Sequence, residues 1–160
     1  MSCPSMLTIL CEPNPDLRQK SEPIELSLLK DPKMQAWLDE LTETMKVADG
    51  IGIAAPQTGT RKRVIIVQTK TGPKAFINPK IFSASLRKVN SEEGCLSVPG
   101  VFGIVRRHRS VKVKAYDRDG KKMQFKCDGL ESIIFQHEID HLDGVLFIDK
   151  VERYTSPPRL

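Results

Sequence analysis

The segment FQHEIDH (135–141) carries two histidines and a glutamate at the spacing of a metal site in a helix. His137 and His141 are four residues apart, so in a helix they lie about one turn apart on one face, where both can bind one cation. Glu138 is offset from them by one residue, near enough to reach a water molecule on that cation without being a ligand. The motif alone leaves a second interpretation open, in which both imidazoles form hydrogen bonds to the backbone or to Asp140 in a polar pocket.

A catalytic metal site needs a third ligand, and the sequence has candidates on both sides of the motif. Upstream, Cys95 follows Gly94, where another backbone can approach closely, and a thiolate is a good ligand for Zn or Fe(II). Downstream the candidates are acidic, and Glu152 is the one we consider. Cys95 with the two histidines would leave one coordination position open for chemistry. The remaining cysteines are predicted to be small buried side chains without a ligand role: Cys3, Cys11 and Cys127.

The segment GIGIAAPQ (50–57) is rich in small residues, which lets another backbone come close. It follows a predicted helix and lacks both the third glycine and the lysine of a phosphate-binding loop, so nucleotide binding is not expected. Gln57 at its end is a neutral amide that can donate a hydrogen bond to a developing oxyanion. The alternative is that Gln57 simply begins an exposed loop.

Periodic patterns predict the elements that must position these residues. An amphipathic helix is expected from Asp31 to Gly50, after a proline-rich N-terminal segment. Hairpins are expected within 63–79 and 110–128, and a strand over 81–89. The order of helix, strands and helix predicts an α+β fold with mixed, largely antiparallel sheets around a central second helix.

The second helix is predicted to carry the FQHEIDH motif near its middle. It begins at Asp128, with Glu131 at the spacing of a capping box, and ends at Gly144. Leu130 and Ile134 continue the line of the two histidines toward the start of the helix, so this face is expected to point inward.

Composition restricts the class of protein. A chain of 160 residues is expected to form a single domain over 1–160, long enough for a core without disulfides. No apolar run approaches the ~20 residues of a membrane-spanning helix and no basic leader precedes the N-terminal apolar stretch, so no membrane partner is expected and the cytoplasm is the expected compartment. The net charge of +5 comes from scattered basic residues, so sequence-specific nucleic-acid binding is not expected.

His108, in the basic cluster 106–109, is expected to be a solvated residue at a strand end.

Three motifs in order resemble those of peptide deformylases: GIGIAAPQ (50–57), EGCLSVP (93–99) and QHEIDHLDG (136–144). The resemblance covers nearly the whole chain. It implies hydrolysis of the N-formyl group from N-formyl-methionyl peptides of nascent proteins, with release of formate.

The resemblance also implies a role for each residue that matches a family motif. Glu138 would be the general acid and base, and Gln57 with the backbone NH of Leu96 would bind the oxyanion. The metal ligands would be Cys95, His137 and His141. Substrate contacts would come from Gly52, Gly94, Ile51, Ile133 and Ile134.

The cofactor implied by the resemblance is one divalent metal ion per chain, with Fe(II) the expected ion and Zn or Ni the alternatives. Asp140 is expected to pair with Arg106 or Arg107 as a support behind the ligands. Many bacterial members continue into a further helix linked to ribosome docking, whereas KVERYTSPPRL (150–160) ends in prolines that do not extend a helix. Ribosome binding is therefore left open.

Two other functions are compatible with the residues. The first is a zinc endopeptidase with Glu152 as the third ligand. The second is a basic RNA-binding module with a structural metal, although such a site normally has four protein ligands and we can name three.

Overall fold

The computed structural model describes residues 6–156, so Cys3, Pro157 and Pro158 lie outside the described residues. Helix α1 spans Pro32–Val47 and helix α2 spans Gly129–Leu142. The strands are β1 (Gly52–Ala54), β2 (Val64–Thr69), β3 (Gly72–Ala84), β4 (Lys88–Cys95), β5 (Val98–His108), β6 (Ser110–Tyr116), β7 (Lys122–Asp128) and β8 (Val151–Tyr154). Short 3-10 helices occupy Pro15–Arg18, Leu26–Lys30, Ala55–Thr58 and Phe147–Asp149.

The strands form two antiparallel sheets, and α2 packs against both. The larger sheet has the order β1-β2-β3-β6-β7, and the smaller has the order β4-β5-β8. Polar contacts from α2 reach β5, where Gln136 bonds to the backbone of His108. The predicted α+β fold with antiparallel sheets around the motif helix is therefore confirmed.

Strand β2 is buried on both faces because a helix covers each side of the larger sheet. Ile65 and Val67 pack in the cluster that contains the apolar residues of α2. Val64 and Ile66 point the other way and pack with α1. The continuous run of apolar residues in β2 follows from this two-sided burial, since successive strand residues point to opposite faces.

Helix α1 begins where the sequence predicts but ends at Val47, before the predicted Gly50, and Asp49 after it has a positive φ of 57°. Asp31 caps it by accepting a hydrogen bond from the backbone NH of Lys33, and Pro32 is its first residue. Its apolar face buries Leu38, Leu41 and Met45.

Helix α2 starts without the predicted capping box. The side chain of Asp128 makes no capping hydrogen bond, because its carboxylate faces Arg109 at 3.5 Å instead. The capping-box prediction for Asp128 and Glu131 is therefore wrong, although the helix does start there. Gly144, with a positive φ of 74°, follows the last turn as predicted.

The two hairpins are confirmed as β2–β3 and β6–β7, whereas the strand predicted over 81–89 is wrong. Its first residues end β3 in the larger sheet, and its last begin β4 in the smaller one. The chain changes sheets at 85–87, where the Ser85 hydroxyl donates to the carbonyl of Arg87 and Leu86 is fully exposed. The residue pattern continues through this bend, so it does not reveal the change of sheet.

The N-terminal segment runs beside the site. The backbone NH of Leu10 donates to the carbonyl of Gln57 at 2.7 Å, and that of Glu12 donates to the carbonyl of Ser97 at 2.8 Å. Cys11 lies between these contacts and is exposed, so its predicted burial is wrong, although its Sγ lies 3.9 Å from the carbonyl oxygen of Leu96. Cys127 is buried as predicted. No helix within residues 6–156 has the length and apolar character to cross a membrane.

Candidate active site

The structure brings Cys95, His137 and His141 together, with their ligand atoms within 4.8 Å of one another. Cys95 is the last residue of β4, and the histidines lie on one face of α2. The Cys95 Sγ is 3.2 Å from the His141 Nε2. Glu152 is exposed on β8 and is outside this cluster, which contradicts the zinc endopeptidase alternative.

Glu93 fixes the orientation of His137. The Nδ1 of His137 donates to the Glu93 Oε2 at 2.8 Å, so Nε2 is the ring nitrogen that can bind a cation once its proton is lost. Burial opposes protonation of His137, but its hydrogen bonds to Cys95 and Glu93 outweigh it and raise the pKa to about 10. A cation that binds here therefore displaces a proton from His137.

His141 is held in its neutral form, which is the form that binds a metal ion. Burial, together with the positive charges of His137 and Arg107, holds the pKa of His141 well below its ordinary value. Two imidazoles and one thiolate are a donor set that suits Fe(II) and Zn. The residues present therefore fit a divalent metal ion.

Behind the cluster, Arg107 joins two carboxylates. Its Nε and Nη2 donate to Glu93 at 2.8 and 3.0 Å, and its Nη1 donates to the Asp140 Oδ2 at 2.6 Å. The predicted pairing of Asp140 is thus confirmed for Arg107, whereas Arg106 is exposed because it points to the other face of β5. Burial opposes ionisation of Glu93, but hydrogen bonds from Arg107 and His137 outweigh it and lower its pKa to about 2. The sequence motifs assign Glu93 no role of its own, although its position beside Gly94 and Cys95 is a signal.

Glu138 is buried at the wall of a cavity and has an unsatisfied oxygen. It is 5% exposed, and its Oε2 has no hydrogen-bond partner among the described residues. Burial is the main reason that the pKa of Glu138 rises to about 7, with the charge of His137 opposing the rise. Gly52 makes room for this carboxylate, because a β-carbon at that position would lie 2.5 Å from the Glu138 Oε1.

Gln57 is buried rather than exposed, so the exposed-loop alternative is wrong. Its Oε1 accepts a hydrogen bond from the backbone NH of Ala54 at 2.8 Å. Its Nε2 donates to the Ser97 hydroxyl at 3.0 Å and lies 3.5 Å from the Cys95 Sγ. The amide NH₂ group is therefore held toward the metal-ligand cluster. Leu96 follows Cys95 in the turn between β4 and β5 and also lines the cavity.

The cavity has a volume of about 540 Å³ and is mainly apolar. All five predicted substrate residues line it: Gly52, Gly94, Ile51, Ile133 and Ile134. Sequence analysis missed Phe102, whose ring lies so close to Gly94 that a β-carbon there would be 2.6 Å from it. Leu130 lines the cavity and is 63% exposed, so its predicted inward position is wrong.

The third histidine lies apart from the cluster. His108 ends β5 as predicted, but it is half-buried rather than solvated because α2 packs over this end of the strand. The carbonyl of His108 accepts hydrogen bonds from Gln136 at 2.8 Å and from Ser132 at 3.1 Å. These contacts hold α2 against the smaller sheet.

Comparison with known proteins agrees with this geometry. The family described as polypeptide deformylase matches residues 6–156. Peptide deformylase 2 of Xanthomonas campestris pv. campestris is 41% identical over 156 residues, which cover 96% of this chain and 89% of the relative. The crystal structure of the class I type b peptide deformylase from Acinetobacter baumannii is 35% identical, with a TM-score of 0.88 over 91% of this chain and 99% of that one.

A second solved structure gives the same result. The peptide deformylase of Thermotoga maritima is 35% identical and superposes with a TM-score of 0.87, over 92% of this chain and 99% of that one. The match therefore extends over both sheets and both helices and includes all three motifs. The chain belongs to the peptide deformylase family, metal-dependent hydrolases that remove the N-formyl group from nascent peptides.

Proposed function

We propose that this chain hydrolyses the formyl amide at the N-terminus of N-formyl-methionyl nascent peptides and releases formate. The observation that carries the proposal is the convergence of the Cys95, His137 and His141 ligand atoms beside Glu138 at one apolar cavity. Three protein ligands leave a coordination position open, as a catalytic site requires. We take residues 1–160 as one catalytic domain, acting in the cytoplasm on peptides rather than on a specific nucleic-acid sequence.

The proposed metal ligands are Cys95, His137 and His141. Glu93 engages only the Nδ1 of His137, and His141 is neutral, and both observations support this assignment. A divalent ion held by these residues would supply Lewis acidity that makes the attacking water molecule easier to deprotonate. We propose Fe(II) as the native ion, with Zn or Ni as substitutes, because the thiolate and imidazole donors suit all three.

Glu138 is the proposed general acid and base. A carboxyl group whose pKa lies near 7 can accept a proton and return it at neutral pH, and in the metal-free protein burial raises the pKa of Glu138 to about 7. It takes the proton of the attacking water molecule and later gives it to the departing amine of methionine. Its unsatisfied Oε2 is the atom available for this transfer.

The proposed oxyanion site consists of the Gln57 Nε2 and the backbone NH of Leu96. Hydrogen bonds to Ala54 and Ser97 hold the Gln57 amide in one orientation, so it needs no reorganisation as negative charge develops. The Gln57 amide is also uncharged at any working pH. A formyl group is small, so a close fit around this amide is expected to exclude acetyl groups.

The proposed substrate contacts follow from the cavity lining. Gly52 and Gly94 leave backbone groups open to a peptide that adds as a strand beside them. Ile51, Ile133 and Ile134 supply apolar surface for the methionine side chain. Ribosome contact is a separate question that these residues do not address.

A formate assay tests the proposed function. The protein is expected to release formate from formyl-Met-Ala-Ser, to lose this activity when a chelator removes the metal, and to regain it with Fe(II), Ni or Zn. Acetyl-Met-Ala-Ser, the matched control, is expected to remain intact. Salt-sensitive RNA binding without formate release would instead support the RNA-binding alternative.

Gly52→Ala is expected to displace the Glu138 carboxylate, because the new methyl group would lie 2.5 Å from its Oε1. Misplacing a catalytic group by about 1 Å costs on the order of 100-fold in rate, and we expect a loss of that size in kcat/KM for formyl-Met-Ala-Ser. Metal content is expected to stay unchanged because the ligands are not contacted. In Gly50→Ala the new group meets the end of a flexible side chain, Leu96 Cδ1 at 3.0 Å, so this control is expected to lose much less activity. Equal losses in both variants would contradict the steric argument.

A further inference from the structure

A row of ion pairs leads from His137 to the protein surface and ends at Lys150. His137 donates to Glu93, and Glu93 accepts both parallel bonds from Arg107. Arg107 also reaches the Asp140 Oδ2 at 2.6 Å. The Lys150 Nζ then contacts both oxygens of Asp140, at 2.9 and 2.8 Å. We call these five residues the ion-pair row.

When His137 is a neutral metal ligand, the charges of the ion-pair row balance only if Lys150 is included. Glu93 and Asp140 are two carboxylates that share one guanidinium, that of Arg107, whose side chain is 3% exposed. Lys150 supplies the second positive charge at the outer carboxylate. Without it, Asp140 would be compensated by Arg107 alone and would draw the guanidinium away from Glu93, since partly buried charges depend on their direct partners.

The turn that follows α2 places Lys150 beside Asp140. The 3-10 helix Phe147–Asp149 comes just before it, and the ring of Phe147 stacks on His137 with centroids 6.1 Å apart. Asp149 fixes the turn by accepting a hydrogen bond from the backbone NH of Leu146 at 2.9 Å. The segment before Lys150 is therefore anchored on the same histidine that the ion-pair row orients.

We propose that Lys150 is a positioning residue for the metal site: by holding Asp140, it keeps Arg107 and Glu93 aligned on the Nδ1 of His137. Lys150 touches neither metal nor substrate, and it acts through this row. The inference rests on the proposed ligand role of His137. It adds Lys150, a surface residue outside all three motifs, to the determinants of metal retention.

Lys150→Met tests the proposal through the rate at which the metal-loaded protein loses its ion to a chelator. We expect this rate to rise by about 3- to 10-fold, less than the roughly 10- to 100-fold typical of groups bonded directly to a ligand. Lys150→Arg keeps the positive charge and is expected to restore slow release. Lys126→Met, an exposed lysine of β7 with no ion pair among the described residues, is the matched control and is expected to release metal at the wild-type rate.

A double-mutant cycle separates positioning from a general effect on structure. If Lys150 acts through Asp140, adding Lys150→Met to Asp140→Asn is expected to change the release rate no further. The visible spectrum of the Co(II)-loaded protein is expected to change in Lys150→Met and to recover in Lys150→Arg. Should Lys150→Met not fold, Lys150→Gln carries the same test.

Three results would overturn the inference: release from Lys150→Met within twofold of wild type, no recovery in Lys150→Arg, or additive effects in the double mutant. These outcomes differ from a failure of the proposed function. A protein that binds no metal or releases no formate would refute that function, whereas unchanged release in Lys150→Met refutes the role of Lys150 alone.

Discussion

Glu138→Gln is expected to keep one metal ion per chain and to lower kcat/KM for formyl-Met-Ala-Ser by about 10³-fold. General acid–base catalysis contributes on the order of 10²- to 10⁴-fold, and Glu138 is the proposed group for both proton transfers. Glutamine has nearly the same shape but cannot accept the proton of water. Formate release and metal content, measured on the same preparation, check this result.

The free energy of unfolding of Glu138→Gln shows whether a loss of activity comes from the missing proton acceptor or from a destabilised fold. The pKa of Glu138 is raised to about 7 in the folded protein, so the folded state holds its proton more tightly than the unfolded state does. In the metal-free protein, stability therefore falls as pH rises from about 4.5 through 7, and the glutamine variant avoids this cost. Glu138→Gln is thus expected to be at least as stable as wild type at pH 8 by urea unfolding. Glu131→Gln, at an exposed position of the same helix, is the control, and full activity in Glu138→Gln would refute the mechanism.

Cys95→Ser is expected to lose both metal and activity. A serine hydroxyl stays protonated near neutral pH, so the site loses its only anionic ligand among the three proposed. The loss of metal affinity is expected to exceed the roughly 10- to 100-fold seen for groups behind the ligands. Metal content after desalting and formate release check the two effects together.

The control for this variant is Cys11→Ser, because Cys11 is an exposed thiol outside the ligand cluster. It is expected to retain metal and activity. One metal ion per chain in Cys95→Ser, at wild-type affinity, would show that the thiolate is not a ligand.

Local spacing accounts for the parts of the site that sequence analysis predicted well. The spacing of four from His137 to His141 puts both on one face of α2, and the residue pattern predicts the helix itself. Asp31 and Pro32 marked the start of α1 in the same local way. Such signals need no knowledge of distant segments.

Long-range packing accounts for what the sequence did not reveal. Glu93 and His137 are brought together only when the smaller sheet meets α2, and Phe102 reaches the cavity through the return of β5 beside β4. The change of sheet at 85–87 likewise depends on which strands pair, not on the residues at the bend. Lys150 belongs to the same class, because its partner Asp140 is reached through the turn after α2.

The positions of the three proposed ligand atoms make the stability of the folded protein depend on the metal concentration. Cys95 belongs to the smaller sheet, whereas His137 and His141 belong to a helix that packs on the larger one. A cation held by all three is therefore a cross-link between two separately hydrogen-bonded layers. Since an ion that binds only the folded state stabilises it by about 2.7 kcal/mol at 100 times its dissociation constant, the free metal concentration sets the resistance of this protein to unfolding and to proteases.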